Sequence, residues 1–182
     1  MAVDVIRLGE GDDIEAQAAA YKALRLVGLE KSPISFANTY EEMAIRTVDD
    51  IIAELRANIV VGVVMEGAEL IGVGGVRREA PGKMNHKGFV YGNYVREDVR
   101  GRGVGKMIMK ELEKRARDTV PTDLLPPFEE LQLRVVEGNE SAIKLYESMG
   151  FEKFGFTQRA VRHNGIYVGE HYMHKFLIDG EK

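Results

Sequence analysis

Apolar residues along the chain recur with two different periods, which predicts a mixture of strands and helices. Val3 to Leu8 reads as a first strand. Behind a candidate cap at Asp12, Ile14, Ala18, Tyr21 and Leu24 follow at helical spacing until Lys31-Ser32-Pro33 stops them. Thr47 and Asp50 mark a second helix start, and Val48, Ile51, Ile52 and Leu55 form its buried stripe. Ile59 to Met65 and Leu70 to Val76 are β-rich runs, joined as a hairpin by Glu66-Gly67-Ala68-Glu69. Lys87 to Val95 is a further strand. A helix over Val104 to Asp118 places Val104, Met107, Ile108 and Leu112 on one face, with Glu111–Arg115 and Glu113–Arg117 as outer i, i+4 pairs. Leu131 to Val136 alternates as a strand. Asn139 is placed to cap a helix carrying Ala142, Leu145, Tyr146 and Met149, which Gly150-Phe151 ends as a Schellman motif. Two strands near Glu152–Gln158 and Tyr167–Leu177 close the pattern. The order β-α-α-β-β-β-α-β-α-β-β predicts an α/β (α+β) domain, a mixed sheet with helices on its faces.

Length and composition leave that picture intact. The 182 residues, 45% hydrophobic, suit one domain over 1–182 with a sizeable core. The proline-rich Val120 to Pro127 stretch reads as a loop inside that domain, since neither flank is a complete domain. A net charge of −4 argues against a surface built for nucleic acid. Zero Cys excludes disulfides, thiolate metal sites and a cysteine nucleophile. The most apolar stretch, Ile59 to Val76, is interrupted by Glu66 and Glu69 and does not read as a membrane span. With no export signal at the N-terminus, the expected setting is the cytoplasm.

The sharpest chemical signal is Arg100-Gly101-Arg102-Gly103-Val104-Gly105-Lys106, where a strand turns into an amphipathic helix. Alternating glycines admit close approach and positive φ. The unpaired N–H groups of a helix start favour an anion, and Arg100, Arg102 and Lys106 add charge beside them. A pyrophosphate is the natural guest. The P-loop pattern fails at Arg100 and Met107, and the dinucleotide fingerprint fails at Lys106. Gly72-Val73-Gly74-Gly75 lies within a strand pattern and reads as a twisted or closely packed strand.

These residues resemble the GNAT superfamily of acyl-CoA-dependent N-acyltransferases. Arg100 to Gly105 matches that family's Arg/Gln-x-x-Gly-x-Gly/Ala signature. Asn139-Glu140-Ser141-Ala142-Ile143-Lys144-Leu145-Tyr146-Glu147-Ser148-Met149-Gly150-Phe151 matches its Asn-x-x-Ala-x-x-Leu-Tyr-x-x-x-Gly-Phe block, and Gly169 to Met173 resembles its last strand. The resemblance implies a mostly antiparallel sheet of about seven strands, flanked by about four helices and splayed between strands 4 and 5. It implies acetyl-CoA as cofactor, with Val95, Arg100, Gly101, Arg102, Gly103, Val104, Gly105, Lys106, Asn139, Ala142 and Tyr146 as its binding residues. It also implies that the Val95 N–H polarises the thioester carbonyl and that Tyr146 protonates the CoA sulfur.

The expected reaction is acetyl transfer to a primary amine of a small molecule, peptide or protein. Without a cysteine, direct attack in a ternary complex is expected. Phe36, Tyr40, Glu41, Glu42, Tyr91, Asn93 and Glu170 lie on segments expected to border the acceptor, and none of them is singled out as the general base. A non-catalytic acyl-CoA sensor is the alternative. No metal is expected: His171 and His174 are three apart on a strand and face opposite sides. Neither nucleic acid nor membrane is an expected partner, and family habit points to a homodimer.

Overall fold

The computed structural model describes residues 2–66 and 69–178. Among them, strands β1 (Val3–Leu8), β2 (Ile59–Met65), β3 (Glu69–Arg78), β4 (Lys87–Val95), β5 (Glu130–Val136), β6 (Glu152–His163) and β7 (Ile166–Phe176) form one sheet. Its order is β1-β2-β3-β4-β5-β7-β6, antiparallel throughout except for β4 and β5. The helices are α1 (Ile14–Lys31), α2 (Tyr40–Ala44), α3 (Val48–Ala57), α4 (Val104–Arg117) and α5 (Glu140–Ser148). The β2–β3 hairpin pairs as expected, and Gly67 and Ala68 of its link lie outside the described residues.

Strand alternation divides the core into two layers. Val60, Val73 and Tyr94 pack with Tyr21, Leu24, Ile51 and Leu55 of α1 and α3. Val61, Val63 and Ile71 pack with Ile108, Leu112, Ile143 and Tyr146 of α4 and α5. The sheet is therefore covered on both faces.

Several local expectations are corrected. The N-cap of α1 is Asp13 rather than Asp12, and its carboxylate accepts from Gln17 at 2.7 Å. Five helices stand where about four were expected. The extra one, α2, is nucleated by a capping box in which Thr39 accepts from the Glu42 N–H and Glu42 accepts from the Thr39 N–H. Met107 is exposed while Met109 is buried. At 3.6 residues per turn, the Val104–Ile108–Leu112–Ala116 row drifts about 40° per step, toward Met109 and away from Met107. The final hairpin is also longer than expected, since β6 runs on to His163.

The helix ends follow their sequence signals. Gly150 takes φ 83°, with Gly150 N–H bonded to Glu147 O and Phe151 N–H to Tyr146 O, both at 3.0 Å. This is the Schellman geometry. The outer pairs of α4 form at 2.8 Å for Arg115–Glu111 and 2.9 Å for Arg117–Glu113.

β4 and β5 pair in parallel over Lys87–Phe89 and Glu130–Gln132, and beyond this junction the strands diverge. Glu130 fastens it, bonded to Lys87 Nζ at 3.2 Å, Gln132 Nε2 at 2.9 Å and His174 Nδ1 at 3.1 Å. Burial pushes the Glu130 carboxyl up, but these three partners outweigh it and hold it below the usual range. A depressed folded-state pKa stabilises above the unfolded value of about 4.3 and is lost as pH falls through the folded one. Glu130→Gln is therefore expected to cost about 1–3 kcal/mol at pH 7 and progressively less below about pH 4. Urea melts at pH 7 and pH 3 test this: an equal gap at both would show that the carboxylate charge is not the source.

Candidate functional site

The divergence of β4 from β5 opens a cleft of about 730 Å³. One wall is the end of β4 and the start of α4, the other is the β5–α5 turn, and Ser32 to Phe36 close one side. Ten of the eleven residues expected to hold acetyl-CoA line it: Val95, Arg100, Gly101, Gly103, Val104, Gly105, Lys106, Asn139, Ala142 and Tyr146. Arg102 belongs to the same turn but is not part of the lining; it lies within electrostatic reach of Asp98.

The turn has the geometry its glycines permit. Gly101 and Gly103 adopt φ of 76° and 83°, and a Cβ on either would meet nothing within 4 Å. Gly103 is the N-cap of α4, and the first intrahelical bond runs from Met107 N–H to Gly103 O at 3.0 Å. The N–H groups of Val104, Gly105 and Lys106 precede that bond and so have no helical acceptor. Gly105 has a different task, since its Cβ would sit 3.1 Å from Leu145 Cδ2. Its absence lets α4 approach α5. Arg96 braces the turn through Asp98 and Glu69.

Val95 sits where the strands part. Arg96 N–H bonds to Ile71 O on the β3 side, so the Val95 N–H and C=O point the other way, into the gap. The Val95 carbonyl accepts from Arg100 Nε at 3.0 Å. Pairing with β5 has ended at Phe89, which leaves the Val95 N–H without a strand partner on that side.

Tyr146 enters from α5, whose N-cap Asn139 accepts from the Ala142 N–H at 3.2 Å. Its hydroxyl accepts from Asn93 Nδ2 at 3.3 Å. Burial raises the phenol above its ordinary value and outweighs the Asn93 bond, so the group stays protonated. Asn93 Oδ1 is buried without a partner.

A bulge in β4 separates two residues that a regular strand would place on one face. The register against β3 shifts between Val73 and Gly75, and Gly92 takes φ 66° there. Asn93 consequently faces Tyr146 on the α5 side, while the Tyr91 hydroxyl reaches Glu54 Oε1 of α3 at 3.1 Å on the other. The β3 glycines accommodate both, as a closely packed strand requires. A Cβ on Gly74 would lie 2.0 Å from Asn93 Oδ1, and one on Gly75 2.7 Å from the Tyr91 ring.

The remaining acceptor candidates scatter. Phe36 and Asn93 line the large cleft. Glu42 and Tyr91 line a separate cavity of about 60 Å³, together with Tyr21, Arg25 and Glu54. The Glu42 carboxylate is already committed to the Thr39 N–H at 2.9 Å. Tyr40 and Glu41 lie outside both. Glu170 is half-buried on β7, in register with Val136 of the cleft wall, and burial pushes its carboxyl up against the opposing effect of Arg134. The sequence reading missed Glu137 and Gly138 of the β5–α5 turn, and Ser32, Ile34 and Ser35 of the opposite side. Gly138, at φ 85°, was the available signal for the first pair, and Pro33 for the second.

Comparison with known proteins gives the family and the fold. Residues 30–151 match the family model described as acetyltransferase (GNAT) family. Among solved structures, the yncA protein of Salmonella typhimurium with its cofactor acetyl-CoA superposes with a TM-score of 0.81 at 15% identity, covering 100% of this chain and 98% of its own. A phosphinothricin acetyltransferase from Sinorhizobium meliloti in complex with acetyl-CoA gives 0.76 at 18% identity, covering 99% and 91%. A GCN5-related N-acetyltransferase from Kribbella flavida gives 0.74 at 23% identity, covering 96% and 98%. No curated protein sequence matches the chain.

Proposed function

The chain belongs to the acetyltransferase (GNAT) family, and on that premise we propose that it moves an acetyl group from acetyl-CoA to a primary amine of a small molecule, peptide or protein. One observation carries the reading: the open first turn of α4, the unpaired Val95 N–H and the protonated Tyr146 hydroxyl all border one cleft.

The residues present fit the cofactor. Val104, Gly105 and Lys106 offer three backbone donors to a pyrophosphate, and bare Gly101 and Gly103 let it come close. The N–H and C=O of Val95 face the gap and suit the amide-bearing pantetheine arm. When bound, acetyl-CoA supplies an activated thioester acyl group.

The chain then does three things. The Val95 N–H donates to the carbonyl oxygen as negative charge develops there, a contribution of about 2.7–4 kcal/mol for one well-aimed donor. The cleft holds the neutral amine within reach of the carbonyl carbon; as the C–N bond forms, the C–S bond breaks. Tyr146 gives its proton to the departing sulfur, and the proton released by the amine restores the tyrosine. Asn93 holds the Tyr146 oxygen as an acceptor, which leaves the phenolic hydrogen for this donation. No cysteine is present to carry the acetyl group, so attack is direct.

The test is CoA release from acetyl-CoA across a panel of amines, amino acids, polyamines and peptides. Release that depends on an added amine is expected. Tight acetyl-CoA binding with no release on any acceptor would favour a sensor, and trapping an acetylated protein without acceptor would overturn direct attack.

A further inference from the structure

Three side chains of the large cleft rest directly on strand backbone. Asn93, Val104 and Ile108 line the cleft, and each is seated on a bare glycine of β3. A Cβ on Gly74 would collide with Asn93 Oδ1 and lie 2.7 Å from Ile108 Cγ2. One on Gly72 would lie 2.9 Å from Val104 Cγ1 and 3.0 Å from Ile108 Cδ1. The three side chains therefore fill the volume that β3 side chains would otherwise take. A wall supported by another side chain yields when that side chain changes rotamer. Here the support is the backbone of a strand paired with β2 on one side and β4 on the other, and it has no rotamer to change.

Asn93 is held from two further directions. Its Nδ2 lies 3.1 Å from Met109 Sδ and donates to the Tyr146 hydroxyl at 3.3 Å. Ile108 and Met109 are themselves fully buried in the layer between α4 and the sheet. In the proposed reaction the thioester carbonyl takes the Val95 N–H and its sulfur takes the Tyr146 proton. Asn93 stands two residues before Val95 on β4 and is bonded to that same tyrosine, so the acyl chain begins beside it. Room for a longer chain requires Asn93 or Ile108 to withdraw, and β3 stops both. A chain turned instead into the open part of the cleft takes the space the amine needs.

We propose that Asn93, supported with Ile108 on the β3 glycines, is a specificity residue that restricts the acyl donor to the shortest chains, acetyl and at most propionyl, and rejects acyl-CoA of four or more carbons. This rests on the acetyl-transfer reading above and deepens it by naming the donor class. Each added methylene in a pocket that cannot expand is expected to cost about tenfold in transfer.

Acetyl-, propionyl-, butyryl- and hexanoyl-CoA, each offered with one amine that the protein acetylates, test it. For the wild-type protein kcat/KM should fall at least about tenfold from acetyl to butyryl and about 100-fold to hexanoyl. Equal use of acetyl- and hexanoyl-CoA would overturn the proposal without recourse to a variant. Asn93→Ala removes a partner of Tyr146 and so slows every donor alike, which makes the ratio between donors the informative quantity. That variant should raise the hexanoyl-to-acetyl ratio at least about tenfold, and an unchanged ratio would remove Asn93 from the wall. Ile108→Val takes away only the Cδ1 methyl above Gly72 and leaves the Tyr146 bond intact. It should raise the butyryl-to-acetyl ratio about threefold, which keeps the test open if Asn93→Ala does not fold. Where transfer occurs, these ratios decide. If no donor releases CoA with any amine, acetyl transfer is refuted, and calorimetry of the four acyl-CoAs decides the wall alone. Affinity falling about threefold or more from acetyl to hexanoyl would leave the wall standing, and equal affinities would overturn it as well.

Discussion

Tyr146→Phe is expected to lower kcat by about 100-fold or more, the usual worth of a positioned proton donor. The KM for acetyl-CoA should stay within about threefold, since in the proposed role the hydroxyl acts on the leaving group rather than on the bound ground state. The ring is buried in the α4–α5 layer, near Phe151 at 6.1 Å, and phenylalanine preserves that packing. Removing the hydroxyl forfeits one bond from Asn93, about 1 kcal/mol, and Asn93 keeps its contact with Met109 Sδ at 3.1 Å. Steady-state kinetics alongside a thermal melt separates a catalytic loss from a folding one. A pH profile adds an independent check. Burial holds the phenol above its ordinary value of about 10, so Tyr146 does not ionise across the working range. An alkaline loss of kcat with a midpoint below that value, absent in the variant, would contradict the assignment.

Gly74→Ala should be strongly damaging for a change of one methyl group. The added carbon would meet Asn93 Oδ1 at 2.0 Å and Ile108 Cγ2 at 2.7 Å. Both neighbours belong to a packed layer, so relief requires Asn93 to leave Tyr146 and α4 to shift from the sheet. Overpacking of this kind costs about 1–3 kcal/mol. For a chain of this length that corresponds to a fall in Tm of about 2–12 °C. Activity should fall further than stability alone explains, because the displaced amide is the partner of the proposed proton donor, Tyr146. Combining the change with Asn93→Ala separates the two contacts: the double variant should regain part of the lost stability and none of the activity. A Gly74→Ala protein that melts with the wild type would show that the strand has slack this geometry denies.

The two cases differ in how much of them the sequence discloses. Tyr146 was legible because α5 is local: a cap, a helical period and a Gly-Phe ending fix its turn and its face within a dozen residues. Gly101 and Gly103 were legible for the same reason, since a strand-to-helix turn prescribes their φ. Gly74 read only as a tight strand. Which side chains it admits depends on the residues that β4 lays against it.

Tyr91 and Asn93 show the limit most clearly. Their spacing of two predicts one face of a strand, and the bulge at Gly92 sends them to opposite sides of the sheet. A bulge is a property of a pair of strands and leaves little trace in either one alone. Tyr21 reads from the sequence only as part of the buried face of α1, yet in the fold its hydroxyl shares the Glu54 carboxylate with Tyr91 and Arg46. Tyr21 and Tyr91 come from α1 and β4, both distant from α3 in the chain.

The chain by itself determined the order of its strands and longer helices, the glycine-rich turn before α4 and the helix that carries Tyr146, because caps, periods and positive-φ glycines act within a few residues. Only the tertiary structure decided where β4 parts from β5, which side of the sheet each β4 side chain serves, and which partners the Glu54 carboxylate takes. These follow from strand pairing and charge compensation between distant segments, and no local period records them.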